Sequence, residues 1–266
     1  MAHMFIFGLG YTAGRIAAAL RARGWVVEAT GSAGDVDFAD GAAVRDALTR
    51  ASHVLSSVPP ADDSDPVLGR YGTDLTHQWL GYLSSTGVYG DAGGAWVDET
   101  AATGTGRRTA RAGADARWQT RGARVFRLPG IYGPGRNALT RVREGRANRI
   151  DLPGQVFSRV HVDDIVSGVI AGLDAPAAAY NLSDDLPTSQ NAVIEESCAL
   201  LGRDPPTLLT LEEAQLSPMA RGFYGENRRV ANGKAKRVLG WQPAYPDYRA
   251  GLRALMASDV LGPQGE

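Results

Sequence analysis

The first thirty residues contain the pattern that most constrains the fold of this chain. A short apolar run at 5–7 leads into a glycine-rich turn at 8–14, and helix formers continue to residue 23. Gly24 ends that stretch, and a second apolar run follows at 25–30. Apolar runs this short, bounded by glycine, are typical of buried strands. The order strand, glycine turn, helix, strand therefore predicts a unit with two parallel strands joined by a helix.

The residue types of the glycine turn fit a site for a bound pyrophosphate. Gly8 permits a tight turn, Gly10 lets the backbone approach the ligand, and Ala13 is small enough for close helix packing. Tyr11 and Thr12 lie in the same turn, just before the helix formers, and the free N–H groups and dipole at the helix start favour an anion. These five residues are predicted to bind a dinucleotide. The alternative is a glycine-rich turn that holds no ligand.

The end of the second predicted strand bears on the choice between NAD and NADP. An acidic residue there usually binds the ribose hydroxyls of NAD. This chain has Thr30-Gly31-Ser32 at that point, and the nearby Glu28 comes before the strand end, with a direction that strand alternation leaves open. Ser32 and backbone groups are therefore predicted to admit a 2′-phosphate, which favours NADP, with NAD as the alternative.

Further short apolar runs predict strands at 35–38, 53–58, 79–83 and 125–129, alternating with helices. This order predicts an α/β fold with a doubly wound parallel sheet. Ligands of such sheets bind outside the carboxyl ends of the strands. Ser57 and Pro59 fall at that edge and are predicted to contact the cofactor. Asp37 and Phe38 are predicted to contact an adenine, although Asp37 is also explained as a solvated capping carboxylate.

Composition excludes several classes of function. The formal net charge is −1 and the 28 Lys and Arg residues are spread along the chain, which argues against a nucleic-acid surface. No apolar run approaches the roughly 20 residues that span a bilayer, and the start of the chain leaves no room for a signal peptide. Cys198 is the sole cysteine, expected as a packed core thiol in a cytoplasmic protein. No His, Cys and carboxylate cluster has metal-ligand spacing, so no metal site is expected.

Four segments together resemble the extended short-chain dehydrogenase/reductase family, in its NAD-dependent epimerase/dehydratase group. They are the glycine turn, SSTGVYG at 84–90, RLPGIYGP at 127–134 and RVHVDD at 159–164. The resemblance implies a Rossmann domain over 1–136, rejoined by about 156–182. It also implies a small carboxyl-terminal substrate lobe formed by 137–155 and 183–266.

The resemblance also implies an activity and roles for particular residues. The expected activity is that of an NAD(P)-dependent oxidoreductase or epimerase on a polar carbonyl or sugar-nucleotide-like small molecule. Ser85 falls at the residue that hydrogen-bonds the substrate, and its neighbour Thr86 is the alternative for that role. Pro129 and Ile131 would line the nicotinamide side of the cofactor. Family members often form homodimers, and a homodimer is the expected assembly.

One departure from the family pattern concerns the catalytic base. Members of the family carry a tyrosine with a lysine four residues later, whereas this chain has no tyrosine between Tyr89 and Tyr132 and no lysine before Lys234. Arg107 and Arg111 have the matching spacing on a predicted helix. A guanidinium holds its proton too tightly to act as a base.

Several roles remain open at this position. Arg111 would take the ribose-holding role of the lysine, and Arg107 would bind a substrate phosphate or carboxylate. Both are equally well explained as solvated residues of a surface helix. Tyr132 and Tyr89 are the candidate replacement bases. The departure is typical of an atypical subgroup, and it supports a second hypothesis, a non-catalytic dinucleotide-binding or redox-sensing protein.

The later chain offers one further candidate segment, residues 217–230. Aromatic, amide and arginine side chains stand together there in a glycine-containing stretch that is expected to be non-helical. Asn227 is predicted to bind a substrate hydroxyl and Arg228 a phosphate. Packing between the two lobes explains the same residues equally well.

Overall fold

The structure is a computed structural model that describes residues 2–61, 63–106 and 109–260. Strands and helices alternate through most of that length. The strands are β1 (His3–Phe7), β2 (Val26–Ala29), β3 (His53–Ser56), β4 (Trp79–Ser85), β5 (Trp96–Val97), β6 (Arg124–Leu128), β7 (Gly130–Tyr132), β8 (Arg149–Ile150), β9 (Arg159–His161), β10 (Ala179–Asn181), β11 (Leu208–Leu209) and β12 (Arg229–Val230). The helices are α1 (Tyr11–Arg21), α2 (Gly41–Arg50), α3 (Pro66–Tyr71), α4 (Thr109–Thr120), α5 (Ala138–Arg143), α6 (Val162–Ala171), α7 (Gln190–Leu201), α8 (Pro218–Phe223), α9 (Gly233–Leu239) and α10 (Tyr248–Val260).

The centre of the molecule is a six-stranded parallel sheet in the order β10-β6-β4-β3-β1-β2. This is the doubly wound α/β sheet that the sequence predicts. The chain starts inside the sheet, with β2 on one side of β1 and β3 on the other. The crevice beyond the carboxyl ends of β1 and β3 is therefore the switch point at which ligands bind in such sheets.

Both faces of the sheet are covered, which is why β1 consists of buried residues throughout. One core lies under α1 and α6 and contains Ile16, Leu20 and Ile165. The other lies under α2, α3 and α4 and contains Val44 and Trp118. Each helix supplies its apolar stripe to the sheet, as an amphipathic helix must.

A third core lies outside the sheet, where α5, α7 and α10 pack together. Cys198 is fully buried in it as a free thiol, which confirms its prediction as a core residue. Ala235 and Trp241, from the stretch predicted for the lobe, pack instead in the core beside α6. The domain boundaries themselves remain predictions. No helix in the described part of the chain is both long and apolar enough to cross a membrane.

The strand predicted at 35–38 is wrong. Asp35 accepts a hydrogen bond from the Ala29 N–H at 2.8 Å, and only Val36 forms an isolated bridge, to Thr30. Asp37 accepts the Ala39 N–H at 2.9 Å. The alternating Asp-Val-Asp-Phe pattern imitates a strand, but its two carboxylates fold the backbone into turns, as short polar side chains often do.

Two helices were not located from the sequence. The link between β3 and β4 contains α3, which begins at Pro66 after the cap residue Asp65. Residues 217–230, expected to be non-helical, contain α8, which Ser217 caps and Pro218 begins. Proline at the first helical position after a capping side chain is a favourable start that the nearby glycines obscured.

Candidate functional site

The glycine turn leads from β1 into α1 at the switch point of the sheet. Gly8 has a φ of +87°, a conformation that favours glycine, and Gly10 is the N-cap with no side chain bonded to the helix start. A Cβ on Gly10 would meet no atom within 4 Å, so the space above it is open. The first N–H groups of α1 have no intrahelical acceptor. Backbone donors, a dipole and open space fit a pyrophosphate.

The end of β2 is fastened to this turn. The Leu9 N–H donates to the Thr30 carbonyl at 2.7 Å, and the Gly8 N–H donates to the Thr30 hydroxyl at 3.1 Å. From β3, the Ser57 hydroxyl donates to the Gly8 carbonyl. The three strand ends around the switch point are therefore held in one fixed arrangement.

A cavity of about 710 Å³ opens from the glycine turn. It is lined by residues from both the sheet edge and the later chain. Among the residues predicted from the sequence, it brings together Gly10, Tyr11, Thr12, Ala13, Ser57, Pro59, Ser85, Thr86, Arg111, Pro129, Ile131 and Arg228.

Ser85 and Thr86 lie where β4 ends, beside the end of β6, since Ser85 pairs with Leu128 in the sheet. The Ser85 hydroxyl oxygen accepts the Gly87 N–H at 3.1 Å and caps a 3₁₀ turn at Thr86–Tyr89. Its own O–H has no acceptor among the described residues and is available to a ligand. Thr86 is buried and lines the same cavity.

Helix α4 places Arg111 in the cavity and is fixed by a buried network below it. Asp115 accepts two hydrogen bonds from the Arg127 guanidinium, at 2.7 and 3.1 Å, and one from the Ser84 hydroxyl at 2.6 Å. Arg127 also donates to the Tyr89 hydroxyl at 2.9 Å. The network thus ties α4 to β4 and β6, next to Ser85.

Arginine dominates the charged lining of the cavity. Three arginines of the lining are Arg111, Arg136 and Arg141. In the described part of the chain, their guanidinium groups have no side-chain hydrogen-bond acceptor and no carboxylate within ion-pair distance. Arg228 donates to the Glu226 carboxylate at 2.9 Å and to the Gly90 carbonyl at 2.6 Å. Unpaired guanidinium groups around a concave space are suited to binding an anion.

The candidate bases Tyr132 and Tyr89 do not line the cavity. Tyr132 is buried with its hydroxyl 3.5 Å from the Asp247 carbonyl, and burial raises its pKa well above the usual range. Tyr89 donates to the Asn181 side chain at 2.7 Å, and burial raises its pKa to about 12. Both hydroxyls face other groups of the protein and not the cavity, so the geometry offers no support for either as a base.

Four of the residues predicted for the cofactor do not line this cavity. Ser32 is exposed just beyond the end of β2. Asp37 is exposed and bonded within its own turn, while the Phe38 ring packs 5.3 Å from the Tyr71 ring. Gly8 lies beneath the lining, where it shapes the turn. Arg107 lies outside the described residues.

Asn227, predicted to bind a substrate hydroxyl, instead connects loops through hydrogen bonds. Its side chain donates to the Gly154 carbonyl at 3.0 Å and accepts the Val156 N–H at 3.2 Å. Its own N–H donates to Asp91 at 2.8 Å. With its side-chain amide already bonded on both atoms, Asn227 is not in the cavity lining, and the packing alternative describes it better.

Sequence reasoning did not single out several residues that line the cavity: Arg136, Arg141, Phe157, Arg159, Gln190, Phe223 and Tyr224. They are far apart in the chain and belong to no local motif. The aromatic content of 217–230 was the signal for Phe223 and Tyr224. No group of three or more His, Cys, Asp or Glu residues that could hold a metal occurs in the part of the chain described.

No family model matches the sequence. A functionally unknown conserved protein from Silicibacter pomeroyi is 39% identical, with a TM-score of 0.86 over 97% of this chain and 99% of that one. A human epimerase family protein, SDR39U1, solved with NADPH, has a TM-score of 0.75 at 16% identity over 96% and 99% of the two chains. A 3-diazoavenalumate denitrifying reductase from Streptomyces is 32% identical, but the match takes in only 48% of this chain and 45% of the reductase.

The sheet order and the glycine turn define a Rossmann fold with the architecture of solved epimerase and dehydratase structures. The fold implied by the resemblance in the sequence is thereby confirmed. More narrowly, the chain belongs to the same family as the Silicibacter pomeroyi protein.

Proposed function

We propose that this chain binds NAD(P) across the glycine turn and uses it to transfer hydride to or from a polar carbonyl or alcohol substrate, including a sugar-nucleotide-like one. The observation that carries the proposal is the single cavity shared by the start of α1, by Ser85 and by unpaired arginines. The human SDR39U1 structure was solved with NADPH, and the partial Streptomyces relative is named a reductase. Both names support the proposed chemistry.

The end of β2 favours NADP within this proposal. Glu28, the nearest acidic residue in the strand, pairs with Arg50 at 2.7 Å and lies 2.8 Å from the His3 ring, so it is not available to ribose hydroxyls. Ser32 is exposed at the tip. A neutral tip with turn N–H groups tolerates a 2′-phosphate better than a free carboxylate would.

The residues of the cavity divide the chemistry between them. A bound reduced nicotinamide supplies the hydride. The Ser85 O–H would donate to the substrate oxygen, and Arg111 would stabilise negative charge that develops there, in the manner of an oxyanion site. Because no tyrosine–lysine pair is available, the proton for that oxygen would come from water. The product alcohol then carries the hydride on carbon and the water proton on oxygen.

Titration of the purified chain with NADP(H) and NAD(H), by calorimetry and nicotinamide fluorescence, tests the proposal. Gly10→Val adds bulk to the open space over the turn, where a Cβ would meet no atom of the protein within 4 Å. It should weaken NADPH binding more than about tenfold, or 1.4 kcal/mol. Gly14→Ala is the matched control, because its Cβ also meets no atom within 4 Å. It should bind as wild type and gain up to about 1 kcal/mol of helix stability.

Failure of all four dinucleotides to bind below millimolar concentration would contradict the proposal. A second candidate, a dinucleotide sensor without catalysis, is favoured by one observation: Tyr89 and Tyr132 both point into packing contacts. Tight cofactor binding with no nicotinamide oxidation across a panel of carbonyl substrates would select this second function.

A further inference from the structure

Part of the cavity is formed by residues from the later chain that the proposed hydride transfer does not use. We define the distal wall as Arg141 of α5, Phe157, Gln190 of α7, and Phe223 and Tyr224 at the end of α8, all of which line the cavity. These side chains combine flat aromatic surface with two kinds of hydrogen-bond donor.

The aromatic part of the distal wall is well supported. The Phe157 and Tyr224 rings meet edge to face, with centroids 5.5 Å apart and an interplanar angle of 89°. The Phe157 backbone bridges to Thr188, and its carbonyl accepts a hydrogen bond from Arg159 at 2.9 Å. Phe223 keeps 48% of its surface exposed. An exposed aromatic beside a fixed aromatic pair provides a surface for a flat apolar group.

Arg159 also sets the direction of the Gln190 amide. An arginine can only donate, so the contact of 3.1 Å from its guanidinium must go to the Gln190 side-chain oxygen. Arg159 is itself held by the carbonyls of Phe157 and Thr188. The amide nitrogen of Gln190 is left with no acceptor among the described residues. It is therefore a donor fixed in direction and available to a ligand.

Arg141 supplies the charge of the distal wall. Its guanidinium has no acceptor or carboxylate partner in the described part of the chain. Arg141, Phe157 and Tyr224 line the same cavity, and the charges of Arg141 and Arg159 oppose the rise in the pKa of Tyr224 that burial causes. The carboxylate among the lining residues, Glu226, pairs with Arg228. The distal wall thus presents one uncommitted guanidinium to a ligand.

We propose that the distal wall binds the carboxylate and ring of a compact aromatic acid, with Arg141 and Gln190 on the carboxylate and Phe157, Phe223 and Tyr224 on the ring. Planar guanidinium and carboxylate groups pair bidentately. Size supports a compact ligand, because a cavity of about 710 Å³ is within the usual range for one ligand and must also hold the nicotinamide end of the cofactor. The inference names the substrate class of the proposed function and rests on it.

The test is binding of 2-naphthoate by the full chain, alone and saturated with NADP⁺, measured by calorimetry. Three comparison ligands separate the contributions: 2-naphthamide removes the charge, cyclohexanecarboxylate removes the flat ring, and UDP carries a base with a diphosphate. We expect 2-naphthoate to bind at least about tenfold more tightly than each of them, with NADP⁺ present throughout.

Arg141→Gln should weaken 2-naphthoate binding about tenfold and leave 2-naphthamide binding unchanged. Arg143→Gln makes the same charge change on the same helix, outside the cavity lining, and should bind 2-naphthoate as wild type. Phe223→Leu, at a half-exposed position that tolerates change, should weaken 2-naphthoate more than cyclohexanecarboxylate.

Tighter binding of UDP than of 2-naphthoate, or equal 2-naphthoate affinity in wild type and Arg141→Gln, would overturn the inference. So would displacement of 2-naphthoate by NADP⁺, which would locate it in the cofactor site. Cofactor binding is measured in the same experiment. A chain that binds NADP⁺ but not the aromatic acid loses only this inference, whereas a chain that binds no dinucleotide loses the proposed function as well.

Discussion

Arg127 contacts the carboxylate of Asp115 on α4 and Arg111 lies one helical turn before Asp115 on that helix, yet the protein uses the two arginines in opposite ways. Arg127 is 3% exposed and donates twice to Asp115, within a network that also satisfies Ser84 and Tyr89. Arg111 is one helical turn before Asp115, lines the cavity and has no partner among the described residues. A guanidinium with all its acceptors in place fixes the fold, whereas one without acceptors is available to a ligand.

The largest expected effect comes from breaking the buried pair. Arg127→Met leaves the Asp115 carboxylate 1% exposed and without its cation. Removing one member of a buried pair typically lowers the free energy of unfolding by about 3–5 kcal/mol. Urea denaturation followed by circular dichroism measures this loss.

The double variant Asp115→Leu with Arg127→Met sharpens the same comparison. It removes both charges, so its loss should be smaller than the sum of the two single losses. Ser84 and Gln119 still lose an acceptor, at 2.6 Å each, so some loss remains. Strictly additive losses would mean that the two charges do not stabilise each other.

The glycine turn and the stretch around Asp35 and Asp37 differ in how well the sequence predicts them. The glycine turn was predicted because its conformation depends on adjacent residues, Gly8 to Ala13. The strand predicted around Asp35 and Asp37 was wrong because side-chain bonds to the backbone outweighed its alternation. Asn227 has the composition of a ligand-binding residue, but its partners Gly154 and Val156 are about 70 positions away. Contacts made only by tertiary folding leave no local pattern to recognise.

Substitution of Arg111, which has no partner among the described residues, should affect activity rather than stability. Arg111→Gln removes a half-buried charge with no partner, so the free energy of unfolding should change by less than about 0.5 kcal/mol. With a substrate identified for the proposed reaction, kcat/KM should fall about ten- to hundredfold, as for a lost bond to a charged group.

Arg117→Gln is the matched control for Arg111, since it makes the same change on an exposed position of α4. It should leave both stability and kcat/KM unchanged. If Arg117→Gln and Arg111→Gln reduce kcat/KM equally, the effect belongs to the overall charge of the helix, and the role assigned to Arg111 fails.

Arg159 is intermediate between Arg127 and Arg111. The prediction that concerns it is the pH dependence set by its neighbour Asp184. Arg159 is buried like Arg127, but its hydrogen-bond acceptors among the described residues are neutral oxygens of Phe157, Thr188, Ser189 and Gln190. The nearby Asp184 is 2% exposed with no cation within ion-pair distance among the described residues. Burial raises the pKa of Asp184 to about 8, and the charge of Arg159 only partly offsets this rise.

Asp184 should therefore make stability depend on pH. An unfolded aspartate titrates near 3.9, so between about pH 4 and pH 8 the unfolded chain releases a proton that the folded chain keeps. The folded state then binds more protons, and its stability falls as pH rises through this window.

Asp184→Asn removes the titration while preserving the shape of the neutral side chain. The free energy of unfolding of Asp184→Asn relative to wild type, measured by urea denaturation, should rise by at least about 1 kcal/mol between pH 5 and pH 8, since one unit corresponds to about 1.4 kcal/mol. Parallel pH profiles for the two proteins would instead mean that Arg159 keeps Asp184 ionised, and Arg159 would then belong with Arg127 as a charge-paired residue.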